Sequence, residues 1–241
     1  MALAFVMGKD MAMDGLGLVV AAGGSSTRFG GGNKLFELLG GEPVFIRCLR
    51  NLMPCVHEHC CVLVVPQGEM GKYQFFLDDA GIAGVTLAAG GSNRGESVCN
   101  GLAALPENLP VAAVQDAARP FTEASLLLEC ADSAFKYGSG VAAHRLVDTI
   151  KVAGNDGIAI DTLDRSTLWA AETPQAFCKL WLEQAYRHCL GKNIAVTDDA
   201  QAVHAIGHKA HLVENKAVNL KITNRSDLVL ARALLMARER E

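Results

Sequence analysis

The stretch Leu16-Gly17-Leu18-Val19-Val20-Ala21-Ala22-Gly23-Gly24-Ser25-Ser26-Thr27-Arg28-Phe29-Gly30, with Lys34 shortly after it, decides how the rest of the chain reads. Residues 16–22 form an apolar run without polar alternation, the pattern of a strand buried on both faces of a parallel sheet. The run stops at Gly23-Gly24 and opens into a Gly/Ser-rich loop. Small residues there let backbone N–H groups approach an anion, and the C-terminal ends of parallel strands are where open α/β sheets take ligands. Arg28 and Lys34 place two cations beside that loop, suited to a polyphosphate. The spacing is not Gly-x-Gly-x-x-Gly, and no Gly-Lys-Ser/Thr follows, so neither a dinucleotide fingerprint nor a Walker loop is present. A surface turn with a solvated Arg and Lys is the competing reading of this cluster on its own.

Working outward, apolar runs alternate with helix-patterned segments. Pro43 opens a helix carrying Val44, Cys48, Leu49 and Leu52 on one face, closed at Pro54. Strands are expected at Cys61–Val65, Val85–Ala88 and Val111–Gln115, with helices at Gln74–Ala80 and Arg94–Leu105 between them. Thr122 is the expected N-cap of a helix reaching Tyr137, and Gly138 its stop. A strand at Gly140–Ala143, helices near Lys179–Leu190 and Thr197–Ile206, a strand at Val218–Ile222 and a last helix after Ser226 complete the reading. Strand, crossover helix, strand repeats imply an α/β fold: an open, mostly parallel sheet covered by helices on both faces.

One segment departs from that pattern. Arg145–Ala153 and Gly157–Leu163 flank Gly154-Asn155-Asp156-Gly157, a hairpin turn signal. Ile150 and Val152 alternate with polar residues on one side, Ile158 and Ile160 on the other, which predicts an apolar face. Two coverings are open to it: a second subunit, making a dimer through this arm, or the chain's own core.

The composition narrows the function classes. The chain has 241 residues, half of them hydrophobic, and a net charge of −4. That charge argues against a nucleic-acid binder with a basic face. No apolar stretch approaches the roughly 20 residues of a membrane span. Eight cysteines without framework spacing point to a reducing, cytoplasmic setting. The run Cys55-Val56-His57-Glu58-His59-Cys60-Cys61 crowds zinc-type ligands but lacks a paired Cys-x-x-Cys and leads into a strand, which disfavours a metal role. Residues 1–15 read as an N-terminal extension without a signal peptide's layout, and residues 16–241 as one domain with the arm at about 144–171.

Further clusters follow the later strands. Gly90-Gly91-Ser92-Asn93-Arg94-Gly95-Glu96-Ser97 again lies between a strand and a helix, placing backbone and the Ser97 hydroxyl for a base or ribose, or simply marking a turn. Asp116-Ala117-Ala118-Arg119-Pro120 offers a carboxylate for Mg²⁺ or substrate and a cation for an anion, or a loop salt bridge. Asp148-Thr149-Ile150-Lys151, Asp164-Arg165, Thr173-Pro174-Gln175, Thr197-Asp198-Asp199 and Lys221 are ordinary singly.

Taken in order, these blocks closely resemble the 2-C-methyl-D-erythritol 4-phosphate cytidylyltransferase family, from about Leu18 to the C-terminus. The blocks are Ala-Ala-Gly…Arg-Phe…Lys, Gly-Gly…Arg…Ser-Val, Asp-Ala-Ala-Arg-Pro, Asp-Thr-Ile-Lys, Thr-Pro-Gln, Thr-Asp-Asp-Ala and Asn-Leu-Lys-Ile-Thr. The resemblance implies a Rossmann-like nucleotidyltransferase fold, a homodimer made through a protruding β-arm, and Mg²⁺-dependent transfer of CMP from CTP to a phosphorylated polyol in isoprenoid precursor synthesis. By position it makes Arg28, Lys34, Arg165 and Lys221 the catalytic cations. It assigns Ala21, Ala22, Gly23, Gly24, Gly90, Gly91, Ser97 and Ala117 to CTP. The polyol phosphate falls to Asp116, Arg119, Thr149, Arg165, Thr173, Thr197 and Lys221, with Thr149 and Arg165 serving the partner subunit's site and Asp116 touching a mainly phosphate-bound Mg²⁺.

The chain departs from the family pattern in its first loop, which has one extra residue before Arg28 and Ser in place of the second Gly. Asn33 stands where Pro is usual, and Gln115 where His is usual. The alternatives are ribitol 5-phosphate cytidylyltransferase, which shares most anion-binding positions, and a non-catalytic nucleotide sensor, which would not need cations at both phosphate ends. A nicotinamide-dependent oxidoreductase is disfavoured by its missing fingerprint.

Overall fold

The computed structural model describes residues 14–24 and 29–238. Strand β1 (Leu16–Ala21) serves two hydrophobic cores at once: Leu16, Leu18 and Val20 point into one, Val19 into the other. That double burial is why the run shows no polar alternation. A small ladder of β2 (Leu38–Leu39) and β3 (Glu42–Pro43) leads into helix α1 (Val44–Leu52), which buries Val44, Phe45, Ile46, Cys48, Leu49 and Leu52. β4 (Cys61–Val65) repeats the two-faced pattern, with Cys61, Leu63 and Val65 on one side and Val62 and Val64 on the other. Helix α2 (Met70–Asp79), strand β5 (Val85–Ala89), helix α3 (Arg94–Ala104) and strand β6 (Val111–Asp116) follow.

Helix α4 (Ala124–Tyr137) ends at Gly138, whose φ of +84° is the left-handed cap that a glycine supplies. Its start corrects the sequence expectation. Glu123 holds the cap position without a side-chain bond, and the buried Thr122 hydroxyl instead donates to Asn219 Oδ1 at 2.8 Å. Tertiary hydrogen bonding has taken the group that local pattern assigned to a cap. Next come β7 (Ser139–Arg145), the arm strands β8 (Lys151–Ala153) and β9 (Ala159–Thr162), β10 (Trp169–Cys178), α5 (Lys179–Gly191), α6 (Asp199–His204), β11 (Leu212–Glu214) and α7 (Arg225–Arg238).

The main sheet has the order β11-β7-β10-β6-β1-β4-β5. β1 pairs parallel with β4 and β6, and β5 with β4; β10 is the antiparallel strand, between β6 and β7. Helices α1, α2, α4 and α7 pack on one face, and α3, α5 and α6 on the other. The expected strand at Val218–Ile222 is not formed: residues 215–223 are irregular, and Leu212–Glu214 is the edge strand beside β7. Ile222 is nonetheless fully buried, so the apolar alternation there reflects packing without a ladder.

The arm is a separate two-stranded sheet, and it does not lie on the chain's own core: Val147, Ile158 and Ile160 are 81%, 64% and 70% exposed. The expected clean apolar face is broken. Val152 pairs with Asp161 and Ala153 with Ala159, leaving Ile160 as the extra residue of a bulge. Among the described residues no helix is long and apolar enough to cross a membrane. Residues 1–13 of the expected N-terminal extension lie outside the described residues.

Candidate active site

A cavity of about 490 Å³ opens where β1 and β6 end and α3 begins. Of the residues picked from sequence, Ala21, Ala22, Gly23, Gly24 and Lys34 line it from the first loop, and Gly91 and Ser97 from the second. Asp116, Thr197 and Lys221 complete the set. Lys34 and Lys221, 187 residues apart in sequence by their numbers, therefore face one space. Arg28 lies outside the described residues.

Local chemistry shapes each wall. Lys34 opens a single 3₁₀ turn, Lys34–Phe36, capped by the Asn33 side chain, which accepts from the Leu35 N–H at 3.1 Å. Asn33 also donates to the Tyr73 hydroxyl at 3.3 Å, and that hydroxyl donates to Ala22 O at 3.4 Å. Tyr73 thus ties the lysine turn to the glycine loop from beneath; burial pushes its phenol up to about 12, so it stays a neutral donor. On the second loop the Gly91 N–H donates to Ser97 Oγ at 3.1 Å, and a Cβ on Gly91 would meet Glu96 Cβ at 2.2 Å. Glycine is required there because the loop folds back onto the helix start.

Asp116 is the acidic side chain among the described residues that line the cavity. Lys221 Nζ lies 2.8 Å from its Oδ2, and Arg119 Nε 3.5 Å from the same oxygen. Burial alone would raise its pKa, but Lys221, Arg119 and Arg94 outweigh burial and hold the carboxyl below its ordinary range. A carboxylate stabilised in this way adds its full contribution to folding above the unfolded pKa of about 3.9, and loses it as pH falls through the lower folded value. Urea midpoints measured from pH 7 down to pH 3 should therefore fall less steeply for Asp116→Asn than for the wild type. Identical slopes would remove Asp116 from this role.

Several sequence candidates sit elsewhere. Ala117 is fully buried and donates its N–H to Ala21 O, while Gly90 lies beneath the second loop with its N–H on Val65 O. Arg119 and Thr173 form the layer behind Asp116: the Thr173 hydroxyl accepts from the Asp116 N–H at 3.0 Å, and Arg119 donates to Asn219 O at 2.7 Å. Thr149 and Arg165 are exposed on the arm, where Arg165 donates to Val147 O. The expected helix start at Thr197 shifts to Asp198, whose side chain accepts from the Gln201 N–H at 2.9 Å.

Arg94 also lines the cavity, although it is not among the site residues assigned from the sequence. Its guanidinium grips Asp199, which is fully buried, through bonds of 2.8 and 2.6 Å, and Tyr186 donates to the same carboxylate at 2.5 Å. Gly-Gly…Arg in the sequence flags the arginine, but nothing local reveals its partner 105 positions away. Among the described residues no three His, Cys, Asp or Glu side chains converge as a metal site; in the 55–61 run, Cys55 and Cys61 are core residues and His57 pairs with Asp14 at 2.6 Å.

The chain matches the family described as 2-C-methyl-D-erythritol 4-phosphate cytidylyltransferase over residues 16–237. A relative of that name from Geobacillus thermodenitrificans (strain NG80-2) is 37% identical over 223 residues, covering 92% of this chain and 96% of its own. The crystal structure of 2-C-methyl-D-erythritol 4-phosphate cytidylyltransferase from Thermus thermophilus superposes with a TM-score of 0.74 at 28% identity, covering 90% of this chain and 97% of that one. The 4-diphosphocytidyl-2C-methyl-D-erythritol synthase structure from Anaerococcus prevotii DSM 20548 gives a TM-score of 0.79 at 25% identity, covering 92% and 98%. With two strand-end loops, a lysine from each end of the chain and one carboxylate meeting in a single cavity, and with these likenesses running nearly end to end, this protein belongs to the 2-C-methyl-D-erythritol 4-phosphate cytidylyltransferase family.

Proposed function

We propose that this chain transfers CMP from CTP to 2-C-methyl-D-erythritol 4-phosphate, giving 4-diphosphocytidyl-2-C-methyl-D-erythritol and pyrophosphate. The observation that carries the reading is the shared cavity of Lys34 and Lys221. The acceptor is a phosphomonoester with a second pKa of about 6, so at pH 7 it is mostly a dianion. Its oxygen forms a bond to the α-phosphorus of CTP, the bond to the bridging oxygen breaks, and pyrophosphate leaves with the electron pair. No general base is needed.

The obstacle is repulsion between polyanions and the charge gathering on the leaving group. Cations already in place meet that obstacle without reorganising during the reaction. Lys34, with Arg28, is assigned to the triphosphate, and Lys221, with the partner's arm, to the incoming phosphate. The glycine loops supply close backbone approach to the nucleotide.

The cavity also suits a phosphate-bound Mg²⁺, which is commonly held by one or two carboxylates together with substrate phosphates. Asp116 is such a carboxylate, kept ionised by Lys221 and Arg119. When bound, the metal would offset phosphate charge and align the leaving group. Pyrophosphate release from CTP and Mg²⁺ should require 2-C-methyl-D-erythritol 4-phosphate. Equal or faster release with ribitol 5-phosphate would reassign the acceptor, and no release with either would leave a nucleotide sensor.

The exposed arm supports a homodimer in which Thr149 and Arg165 complete the partner's site. Lys34→Ala and Arg165→Ala proteins should each be nearly inactive, yet regain activity when unfolded together and refolded. A recovery of about a quarter of the wild-type rate is expected, since half the dimers are hybrids with one intact site each. No recovery would place Arg165 in its own chain's site. The eight cysteines are free thiols, which supports a reducing, cytoplasmic setting.

A further inference from the structure

Lys221 belongs to the irregular segment 215–223, where no helix or strand ladder fixes the backbone. Buried polar chemistry holds it instead. Asn219, two positions before the lysine, is 6% exposed. Its Nδ2 donates to Glu172 Oε2 and to Thr173 O, both at 2.9 Å, and its Oδ1 accepts from the Thr122 hydroxyl at 2.8 Å. Glu172 is equally buried on β10. Its Oε2 also accepts from Asn215 Nδ2 at 2.8 Å, and its Oε1 lies 2.7 Å from His144 Nδ1. Beyond Lys221, the Ile222 N–H donates to Ala118 O at 2.9 Å.

A carboxylate in the interior is costly unless hydrogen bonds answer its charge. Here both bonds to Oε2 come from one short segment, so a single group on β10 binds that segment at residues 215 and 219. The cation stands between two anchored positions, Asn219 and Ile222, and lies 2.8 Å from Asp116.

We propose that Glu172 and Asn219 are positioning residues for the acceptor site: together they clamp segment 215–223 so that Lys221 is presented to the cavity. The inference rests on the assignment of Lys221 to the incoming phosphate. Neither residue touches substrate; both act through the lysine.

Asn219→Ala and Glu172→Ala should raise KM for 2-C-methyl-D-erythritol 4-phosphate by about tenfold, the scale of a lost hydrogen bond to a charged group, while KM for CTP stays within about twofold. Glu172→Gln, whose amide oxygen can still accept from both asparagines, should behave like the wild type. In a Lys221→Ala background, Asn219→Ala should add no further loss, because the group it positions is gone. Equal rises in both KM values, or full additivity with Lys221→Ala, would reduce the clamp to a general structural contact and overturn the proposal. If Asn219→Ala does not fold, Asn219→Ser is read by the same criteria.

Hydrogen exchange at the Ile222 amide gives a measure independent of turnover. It should quicken about tenfold in Asn219→Ala but not in Glu172→Gln, with β1 amides unchanged. Unchanged exchange at Ile222 would overturn the clamp. If Lys221→Ala leaves the polyol phosphate KM untouched, the acceptor assignment fails, and Ile222 exchange still decides whether the clamp exists.

Discussion

Lys34→Ala is expected to lower kcat by about 10²–10³, the usual cost of removing one preorganised charge contact to a transition state, with the thermal unfolding midpoint unchanged. The fold should tolerate the change because neighbours set the position of the turn. Leu35 is buried, Asn33 caps the turn, and Tyr73 ties Asn33 to Ala22. The loss should fall on kcat more than on the KM for CTP, since charge on the leaving pyrophosphate develops as the bond breaks. Lys34→Arg should recover part of the rate: it restores the charge, but as a planar fork where a compact ammonium stood. Near-wild-type turnover of Lys34→Ala would remove the lysine from the triphosphate end.

Asp199→Ala should destabilise the protein by about 3–5 kcal/mol, because it strips the buried half of an ion pair and leaves the other charge without its partner. Asp199 is fully buried, while the Arg94 side chain is 28% exposed. The arginine would then keep its bond to the Tyr186 hydroxyl, at 2.6 Å, but that hydroxyl would lose its own acceptor. The double substitution Arg94→Ala with Asp199→Ala should cost less than the sum of the two single changes, since the second removes a charge already stranded. Urea unfolding of the four proteins gives the coupling. A single-variant loss below about 1 kcal/mol, the range of exposed pairs, would show that the bidentate grip is solvated in practice. Because Asp199 opens α6 directly after Thr197 and Asp198, and Thr197 lines the cavity, turnover should fall as well.

The strands that build the site were legible because their signal is local. β1, β4 and β6 are buried on both sides, and their side chains announce this without knowledge of any partner. The glycine pair after β5 was legible for a related reason, since the chain folds back so closely there that a Cβ on Gly91 would meet Glu96 Cβ at 2.2 Å. Where local pattern and tertiary environment disagreed, the environment prevailed. Val218, Leu220 and Ile222 alternate like a strand, but the backbone there bonds to side chains and to the Ala118 carbonyl. Thr122 looks like a cap, yet its hydroxyl is spent on Asn219.

Composition and order along the chain thus determined the layered α/β architecture, the two strand-end loops and the residue types gathered for phosphate. Burial on both sheet faces and the turn demands of glycine act over a few residues, so they leave periodic marks that can be read in one dimension. The tertiary structure alone decided that Lys221 would meet Asp116, that Arg94 would find Asp199, and that Glu172 would secure an otherwise irregular segment. Those contacts join side chains far apart along the backbone through a few hydrogen bonds and ion pairs, which have no period and no favoured spacing, and they exist only once the sheet has brought the strand ends together.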